Sequence, residues 1–258
     1  MNKKVLWQEL RRNEFEQFVK NNAIVIIPVA STEQHGDHLP VNTDAYNCFI
    51  IAERAATLID DFSVLVLPPV WTGFSPYHMA YPGTITLKYH TLMELLTQMA
   101  ISVFKHGFRK ILFLNGHGGN ENIVAALRTK LRAEENVFSV MGYSWWSIPS
   151  VIREMETICE SDKGSIGHSG ELETSIGLYL KPELVDLNNS LWSQGVVGDP
   201  SFATREKGER LINAAVTGLV EKLREFNSHK AENSMTDTDG IFKGMKTLAD
   251  NWRSTIRM

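Results

Sequence analysis

The sequence predicts an α/β fold in three layers, α/β/α, with a mainly parallel sheet covered by helices on both faces. Four short apolar runs recur along the chain, and helical patterns lie between them. The runs are nearly continuous in apolar character, as expected of strands that are covered on both sides. Strands that alternate with helices at this spacing form parallel sheets. The predicted strands are residues 23–29, 63–68, 110–115 and 137–143.

Helical periodicity predicts five helices, and the chain divides into one large domain and a short arm. Residues 184–206 have the composition of a loop, whereas residues 230–240 are a polar linker. We therefore expect one domain over residues 1–229 and a linker with a short C-terminal arm over residues 230–258. The predicted helices are residues 44–59, 90–106, 120–134, 171–180 and 207–226.

Composition excludes several functional classes. The chain has 258 residues, of which 43% are apolar, and a formal net charge of −4, with scattered basic residues. A nucleic-acid partner is therefore not expected. There is no N-terminal signal segment and no apolar run of roughly 18 residues, so we expect a cytoplasmic protein without a membrane partner. Cys48 and Cys159 lie far apart, as is typical of buried reduced thiols rather than a disulfide.

The first predicted strand is followed by ASTEQHGDHLPVNTD, residues 30–44. In an extended chain Glu33 and His35 point to the same side, so they could reach one cation or two adjacent ones. Asp44 stands where the next helix begins. It could cap that helix or bind a cation, and the sequence leaves both interpretations open.

A second polar loop, residues 115–120, follows the third predicted strand. Its sequence is Asn-Gly-His-Gly-Gly-Asn, with His117 among three glycines. Glycines let the backbone approach a ligand closely, and the helix that follows offers free N–H groups. A phosphate-binding turn is the alternative interpretation, although the loop lacks the Lys and Ser/Thr of a P-loop.

A third polar cluster, residues 167–175, begins the fourth predicted helix. Glu171 and Glu173 lie about 200° apart on a helix, so they face different sides and should have different functions. One of them could bind a cation while the other supports the helix start, where an acidic residue is also favoured by the helix dipole. His168 precedes the helix and could exchange protons there.

Together the three loops supply carboxylates and imidazoles, which suit ions such as Zn²⁺ or Mn²⁺. Five such ligands with one shared carboxylate would hold two ions about 3.5 Å apart. Hydrolysis is the chemistry that such a centre favours. The sequence does not rank Zn²⁺, Mn²⁺ and Fe²⁺.

Several motifs occur in the order and spacing of the creatininase family, which the chain resembles from about residue 5 to residue 226. The C-terminal part of the resemblance includes Gly198-Asp199-Pro200 and the segment 203–208. The remaining motifs are Glu33-Gln34-His35-Gly36, Asn42-Thr43-Asp44, Pro82-Gly83-Thr84, the loop 115–120 and the segment 168–175.

This resemblance implies a layered domain that assembles as a homo-oligomer, often a hexamer. It also implies that His168 is catalytic and moves a proton onto the leaving nitrogen, and that Asp44 bridges two metal ions. The implied metal ligands are Glu33, His35, Asp44, His117 and Glu173.

The substrate side departs from creatininase itself. Creatininase has Tyr and Glu where this chain has Gly118 and Gly119, and Trp where it has Gly164. Trp146 matches an aromatic residue that faces substrate, and His78 follows a Gly-x-Ser-x-x-His pattern seen in relatives. The predicted substrate-binding residues are therefore Trp146, His78, Gly118 and Gly119, although a structural role for Trp146 or His78 is an equal alternative.

Four functions follow from these observations. The leading expectation is hydrolysis of a small cyclic or linear amide, and the second is hydrolysis of a formamide or of a cyclic diketone derived from an inositol. The third is a binding module for metal or phosphate without catalysis. The fourth is an oligomeric scaffold in which the arm Met235 to Met258 contacts neighbouring copies.

Overall fold

The structure is a computed structural model that describes residues 3–161, 167–189 and 193–229. The predicted arm, residues 230–258, and Gly164 lie outside the described residues. The division at residue 229 therefore stays a prediction. Within the described ranges, none of the helices is long and apolar enough to cross a membrane.

Four parallel strands form the sheet of the described chain, in the order β2, β1, β3, β4. The two central strands, β1 and β3, pair along their whole length. The predicted parallel sheet is confirmed. The strands are β1 (Ile24–Val29), β2 (Val64–Val66), β3 (Lys110–Asn115) and β4 (Val140–Ser144).

Helices cover both faces of this sheet, so the three-layer prediction is confirmed. Helices α2, α5, α6 and α7 pack on the face that Ile24 and Ile26 share, whereas α3 and α4 pack on the opposite face with Val25 and Ile27. Successive strand residues point to opposite faces, which explains why the strands are apolar throughout. The helices are α1 (Phe15–Lys20), α2 (Thr43–Leu58), α3 (Tyr89–Lys105), α4 (Glu121–Glu135), α5 (Pro149–Ile158), α6 (Glu171–Leu180) and α7 (Arg205–Ser228).

The largest differences from the sequence prediction are the start of β4 and the presence of α5. Strand β4 begins at Val140 rather than at residue 137, because the backbone N–H of Val137 donates to Leu131 and completes the end of α4. No helix is predicted over residues 149–158, where the structure has α5. Proline in the first turn suits a helix start, and the apolar stripe of α5 packs against α7.

Parallel pairing brings the two richest loops together. Val29 and Asn115 end their strands opposite each other, and Gly116 N–H donates to Val29 O at 2.8 Å. The loops after β1 and β3 therefore begin side by side at one edge of the sheet. Ligand sites in open α/β sheets form at this edge.

A buried ion pair connects α6 to α7. Glu171 is fully buried, and its carboxylate accepts hydrogen bonds from Lys207 Nζ at 2.6 Å and from both the backbone and the hydroxyl of Ser161. Burial raises the pKa of Glu171, but the hydrogen bonds from Lys207 and Ser161 outweigh this effect and lower it. Glu171 is therefore an ionised structural residue that fixes the start of α6.

Replacing Lys207 with Met should lower the free energy of unfolding by about 3 to 5 kcal/mol, because it leaves a buried carboxylate without its cation. Urea unfolding measures this. Lys222→Met is the matched control, since its pair with Glu225 is exposed and should contribute about 0 to 1 kcal/mol. The stability difference between wild type and Lys207→Met should shrink as the pH falls and Glu171 takes up a proton. Equal losses in both variants would contradict the structural role of the buried pair.

Candidate metal centre

The carboxylates of Glu33 and Asp44 meet His117 at the carboxyl edge of the sheet. His117 Nδ1 lies 3.1 Å from Glu33 Oε1 and 3.1 Å from Asp44 Oδ2. Each residue comes from a different segment: the loop after β1, the first turn of α2 and the loop after β3. The three side chains form a first group of adjacent oxygen and nitrogen atoms, named subsite A here.

A second group, subsite B, lies on the other side of Asp44. His35 Nε2 is 3.2 Å from Asp44 Oδ1 and 3.6 Å from Glu173 Oε2. Glu173 reaches this position from the first turn of α6. Asp44 therefore presents one oxygen to each subsite, which is the geometry of a carboxylate that can bridge two cations.

Asp44 is not a helix cap. Helix α2 begins at Thr43 with Asn42 at the N-cap, and no side chain makes a capping hydrogen bond there. The Asp44 carboxylate instead faces His35 and His117. Of the two interpretations that the sequence left open, the structure favours the role in the cluster.

Hydrogen bonds to backbone carbonyls set which nitrogen of each imidazole faces the cluster. His35 Nδ1 is 3.1 Å from Glu33 O, and His117 Nε2 is 3.1 Å from Phe74 O. A carbonyl oxygen only accepts, so these two nitrogens carry the hydrogens. The remaining nitrogens, His35 Nε2 and His117 Nδ1, face the carboxylates and are the ones that could bind a cation. This is the usual arrangement around imidazoles that bind a metal.

Two buried atoms of the cluster, His35 Nε2 and Asp44 Oδ2, make no hydrogen bond of good geometry among the described residues, although each has a close neighbour of opposite charge. Leaving buried polar atoms without partners is costly. A cation between the side chains would satisfy both atoms. The residues present therefore fit divalent ions that accept mixed nitrogen and oxygen ligands.

The electrostatics of the cluster also favour positive charge. Burial lowers the pKa of His117, but the adjacent carboxylates of Asp44 and Glu33 outweigh this effect and raise the pKa to about 10. Burial likewise lowers the pKa of His35, and the charges of Asp44 and Glu173 hold it well above its usual range. The carboxylates thus stabilise positive charge by more than the desolvation of two buried imidazoles disfavours it.

Two further histidines stand beside the cluster. The His168 ring lies 4.3 Å from the His35 ring and stacks on His78 at 4.3 Å, measured between ring centroids. His168 Nδ1 is 3.4 Å from Glu33 Oε1. The predicted catalytic residue and the predicted substrate-binding residue His78 are therefore in direct contact.

Sequence reasoning missed two residues that support this group. The Ser75 hydroxyl donates a hydrogen bond to Glu33 Oε2, and the Gln34 side chain contacts both His78 and His168. Ser75 belongs to the same Gly-x-Ser-x-x-His motif as His78. The serine of this motif was therefore the sequence feature from which Ser75 could have been predicted.

The cluster opens into a cavity of about 450 Å³. Trp146, a predicted substrate-binding residue, lines it together with Trp145, Met155 and Leu172, for which no role was predicted. The described lining residues include four acidic residues, Glu33, Asp44, Glu121 and Glu173, but no lysine or arginine. The cavity therefore combines an apolar wall with a floor of negative charge.

Gly118 and Gly119 both line the cavity but differ in their surroundings. A Cβ atom on Gly118 would meet no atom within 4 Å. A Cβ atom on Gly119 would overlap Phe74 O and lie 2.5 Å from His117 Nε2. Gly118 thus borders open space, whereas Gly119 lets the backbone pass close to His117.

The structure separates the two acidic residues of α6. Glu173 faces His35, whereas Glu171 faces Lys207 on the other side of the helix. The opposite faces follow from the helical spacing, which does not determine which residue faces the cluster. The resemblance to the creatininase family named Glu173, and Glu173 is the residue that lies against His35.

The fold and the cluster define a class of α/β protein with a centre of buried carboxylates and imidazoles at the carboxyl edge of a parallel sheet. The sequence matches the Creatininase family, described as creatinine amidohydrolase, over residues 8–223. This match covers most of the chain. The chain therefore belongs to the creatininase family, whose members are hydrolases.

Similar proteins of this family carry different names. The mycofactocin precursor peptide peptidase of Mycolicibacterium smegmatis is 31% identical over 231 residues, which are 79% of this chain and 85% of the relative. The creatinine amidohydrolase of Pseudomonas putida is 29% identical over 260 residues, or 87% and 98% of the two chains. The 3-dehydro-scyllo-inosose hydrolase of Thermotoga maritima is 29% identical over 183 residues, or 70% and 58%.

Solved structures of creatininase share the fold. A glutamate-to-glutamine mutant of the Zn–Zn type has a TM-score of 0.76 and 28% identity, covering 86% of this chain and 98% of that one. A manganese creatininase has a TM-score of 0.72 with the same identity and coverage. These similarities agree with the three-layer architecture.

Replacing Gly119 with Ala should lower the free energy of unfolding by about 1 to 3 kcal/mol, because the new methyl group overlaps Phe74 O and displaces His117. Gly118→Ala is the matched control and should change it by less than about 0.5 kcal/mol, since its methyl group enters open space. Urea unfolding of both variants measures the difference. A Gly118→Ala loss as large as that of Gly119→Ala would show that the loop does not tolerate side chains for some other reason.

Proposed function

We propose that this protein hydrolyses a carbon–nitrogen bond in a small amide, cyclic or linear, with two divalent ions as cofactors. The observation that carries this proposal is the position of Asp44, whose two oxygens face two different imidazoles. In this assignment Glu33 and His117 complete subsite A, and His35 and Glu173 complete subsite B.

Zn²⁺ or Mn²⁺ suits the proposed ligands, which are imidazole nitrogens and carboxylate oxygens. Fe²⁺ is a further candidate, since such ligand sets accept it as well. The names of the zinc and manganese creatininase structures support this choice. A pair of such ions, when bound, polarises a carbonyl oxygen and lowers the pKa of water.

The chain's own residues would then bind the substrate and move the proton. His168 stands beside Glu33 at the cavity wall, and we assign to it the transfer of a proton onto the leaving nitrogen. Trp146 would hold the apolar part of the substrate, and His78 would hydrogen-bond a polar part. The apolar wall would exclude water from the remaining surface of the substrate.

The cavity supports a substrate that can be larger than creatinine. Gly118 leaves open space beside the proposed centre, at the position where creatininase carries a tyrosine. The relatives are named for creatinine, for a precursor peptide and for 3-dehydro-scyllo-inosose. Hydrolysis of a cyclic diketone derived from an inositol is therefore the second candidate, and the same open space favours it. A formamide is a smaller alternative.

We further propose that the domain of residues 1–229 assembles as a homo-oligomer, such as a hexamer. Large apolar side chains are exposed along the segment that precedes α3, including Trp71, Tyr77, Met79 and Ile85, which are 48% to 60% exposed. Exposed apolar groups of this kind mark contact surfaces. The arm of residues 230–258 would contact neighbouring copies.

Asp44→Ala should remove both divalent ions, because the proposal gives one oxygen of Asp44 to each of them. Metal content per chain, measured by inductively coupled plasma spectrometry, tests this. Glu173→Gln is the matched control and should weaken only the ion of subsite B. Two ions retained in Asp44→Ala would contradict the bridging role.

His168→Ala should keep the metal content of the wild type while kcat falls by about 10²- to 10⁴-fold, the usual effect of losing a general acid. The zinc- or manganese-loaded chain is first assayed on creatinine, dipeptides, formamides and cyclic ketones to find its substrate. His90→Ala, in an exposed part of α3, is the control. Unchanged turnover in His168→Ala would overturn its role, whereas a metal-loaded wild type that hydrolyses no amide would overturn the proposed function.

A further inference from the structure

Gln34 lies between two proposed metal ligands in the sequence, yet its side chain contacts two histidines that are not in that ligand set. Gln34 Nε2 is 2.8 Å from His78 Nδ1, 3.0 Å from His168 Nε2 and 2.8 Å from Gly195 O. The residue is 6% exposed. One amide nitrogen thus faces three polar atoms, although it carries only two hydrogens.

The orientation of this amide is fixed on both sides. Gln34 Oε1 accepts the N–H of Gly36 at 2.8 Å, so the oxygen and the nitrogen cannot be exchanged without losing this bond and the bond to Gly195 O. Gly195 has φ +88°, and a Cβ atom there would lie 2.6 to 2.7 Å from three atoms of the amide. The backbone of Gly195 therefore packs directly on the Gln34 side chain and holds it in place.

The backbone carbonyl of Gln34 determines which nitrogen of His168 is protonated. His168 Nε2 is 2.7 Å from Gln34 O, which can only accept a hydrogen bond. His168 Nε2 therefore carries a hydrogen and donates it to Gln34 O. Nδ1 is left to face the cluster, 3.4 Å from Glu33 Oε1.

The two hydrogens of the Gln34 amide then determine which nitrogen of His78 is protonated. Because His168 Nε2 already carries a hydrogen, the Gln34 amide cannot donate to it. The two amide hydrogens must go to Gly195 O and His78 Nδ1. His78 Nδ1 thus accepts, and its hydrogen lies on Nε2, which points toward Glu33 Oε1 at 3.8 Å.

We infer that Gln34 is a positioning residue that sets the protons of the two histidines beside the centre. Its backbone carbonyl keeps a hydrogen on His168 Nε2, and its side-chain amide keeps the hydrogen of His78 on Nε2. The consequence for catalysis rests on the proposed function. His168 would take up at Nδ1 the proton that the attacking water loses and pass it to the leaving nitrogen, while the Nε2 hydrogen stays on Gln34 O.

Nitrogen NMR of the full chain, loaded with zinc and labelled with ¹⁵N-histidine, tests the assignment directly. Protonated and unprotonated imidazole nitrogens differ widely in ¹⁵N shift, and the His78→Asn and His168→Asn variants identify the two rings by loss of signal. We expect both rings to carry their hydrogen on Nε2. An unprotonated Nε2 on His168, or a hydrogen on Nδ1 of neutral His78, would overturn the inference. The measurement is made on the wild-type chain, so it does not depend on whether a Gln34 variant folds.

Two substitutions of Gln34 separate positioning from packing. Gln34→Met keeps the length of the side chain but donates nothing, so His78 should populate both tautomers. Gln34→Glu offers only acceptors, so His78 should move its hydrogen to Nδ1, whereas His168 should keep its hydrogen on Nε2 because the backbone carbonyl is unchanged. Both variants should retain zinc. An unchanged His78 tautomer in both would overturn the role of the amide.

Activity gives a second readout. With the substrate found in the assays above, both Gln34 variants should lower kcat by about 10- to 100-fold, the usual effect of removing a residue that orients the groups of a metal site, with little change in KM. Gln17→Met, at an exposed glutamine, is the matched control. Unchanged kcat in both Gln34 variants would overturn the catalytic consequence. A wild type with the expected tautomers but no turnover would overturn the proposed function alone.

Discussion

The parallel pairing of β1 with β3 is the constraint on which the candidate centre depends. It places the ends of both strands at one edge of the sheet, with Val29 opposite Asn115. Glu33 and His117, which are distant in the sequence, therefore begin from adjacent backbones. Asp44 and Glu173 then reach the same point from the first turns of two helices that pack on one face of the sheet.

Burial makes this arrangement electrostatically demanding. The carboxylates of Glu33 and Asp44 are almost fully buried, and His35 is fully buried. Hydrogen bonds and charges within the cluster outweigh this burial, because they lower the pKa of the acids and raise that of the imidazoles. Divalent ions would neutralise the same carboxylates. The buried pair of Glu171 and Lys207 differs from this cluster, because the charge of Lys207 already neutralises the carboxylate of Glu171. This pair anchors α6.

The centre and the cavity impose different requirements on the chain. The proposed ligands must meet within a few ångströms, and each is held by the end of a strand or the start of a helix. The cavity wall is less constrained, as Gly118 shows by bordering open space. A family whose members are named for different substrates is consistent with this division between a fixed centre and a variable wall.

Much of the fold was determined by the sequence alone. Continuous apolar runs predicted four strands and a parallel sheet, because strands that are covered on both faces have no polar side. The polar loops after two of these strands, together with the resemblance to creatininase, identified the residues that the structure brings together. Helix α5 was not predicted, although its sequence carries the signals of a helix. Pro149 suits the first turn, and Val151, Met155 and Ile158 recur at helical spacing.

Only the tertiary structure decided the contacts between distant segments. Helical spacing alone does not distinguish Glu171 from Glu173, and only the resemblance to creatininase named Glu173. The structure supplies the physical reason, because Lys207 lies opposite Glu171 and His35 lies opposite Glu173. The position of Gln34 depends on Gly195, which is 161 residues away along the chain. Local sequence determines which groups are available and which face of an element they occupy. Their partners depend on how the elements pack, because a side chain interacts with whatever the fold places within a few ångströms of it.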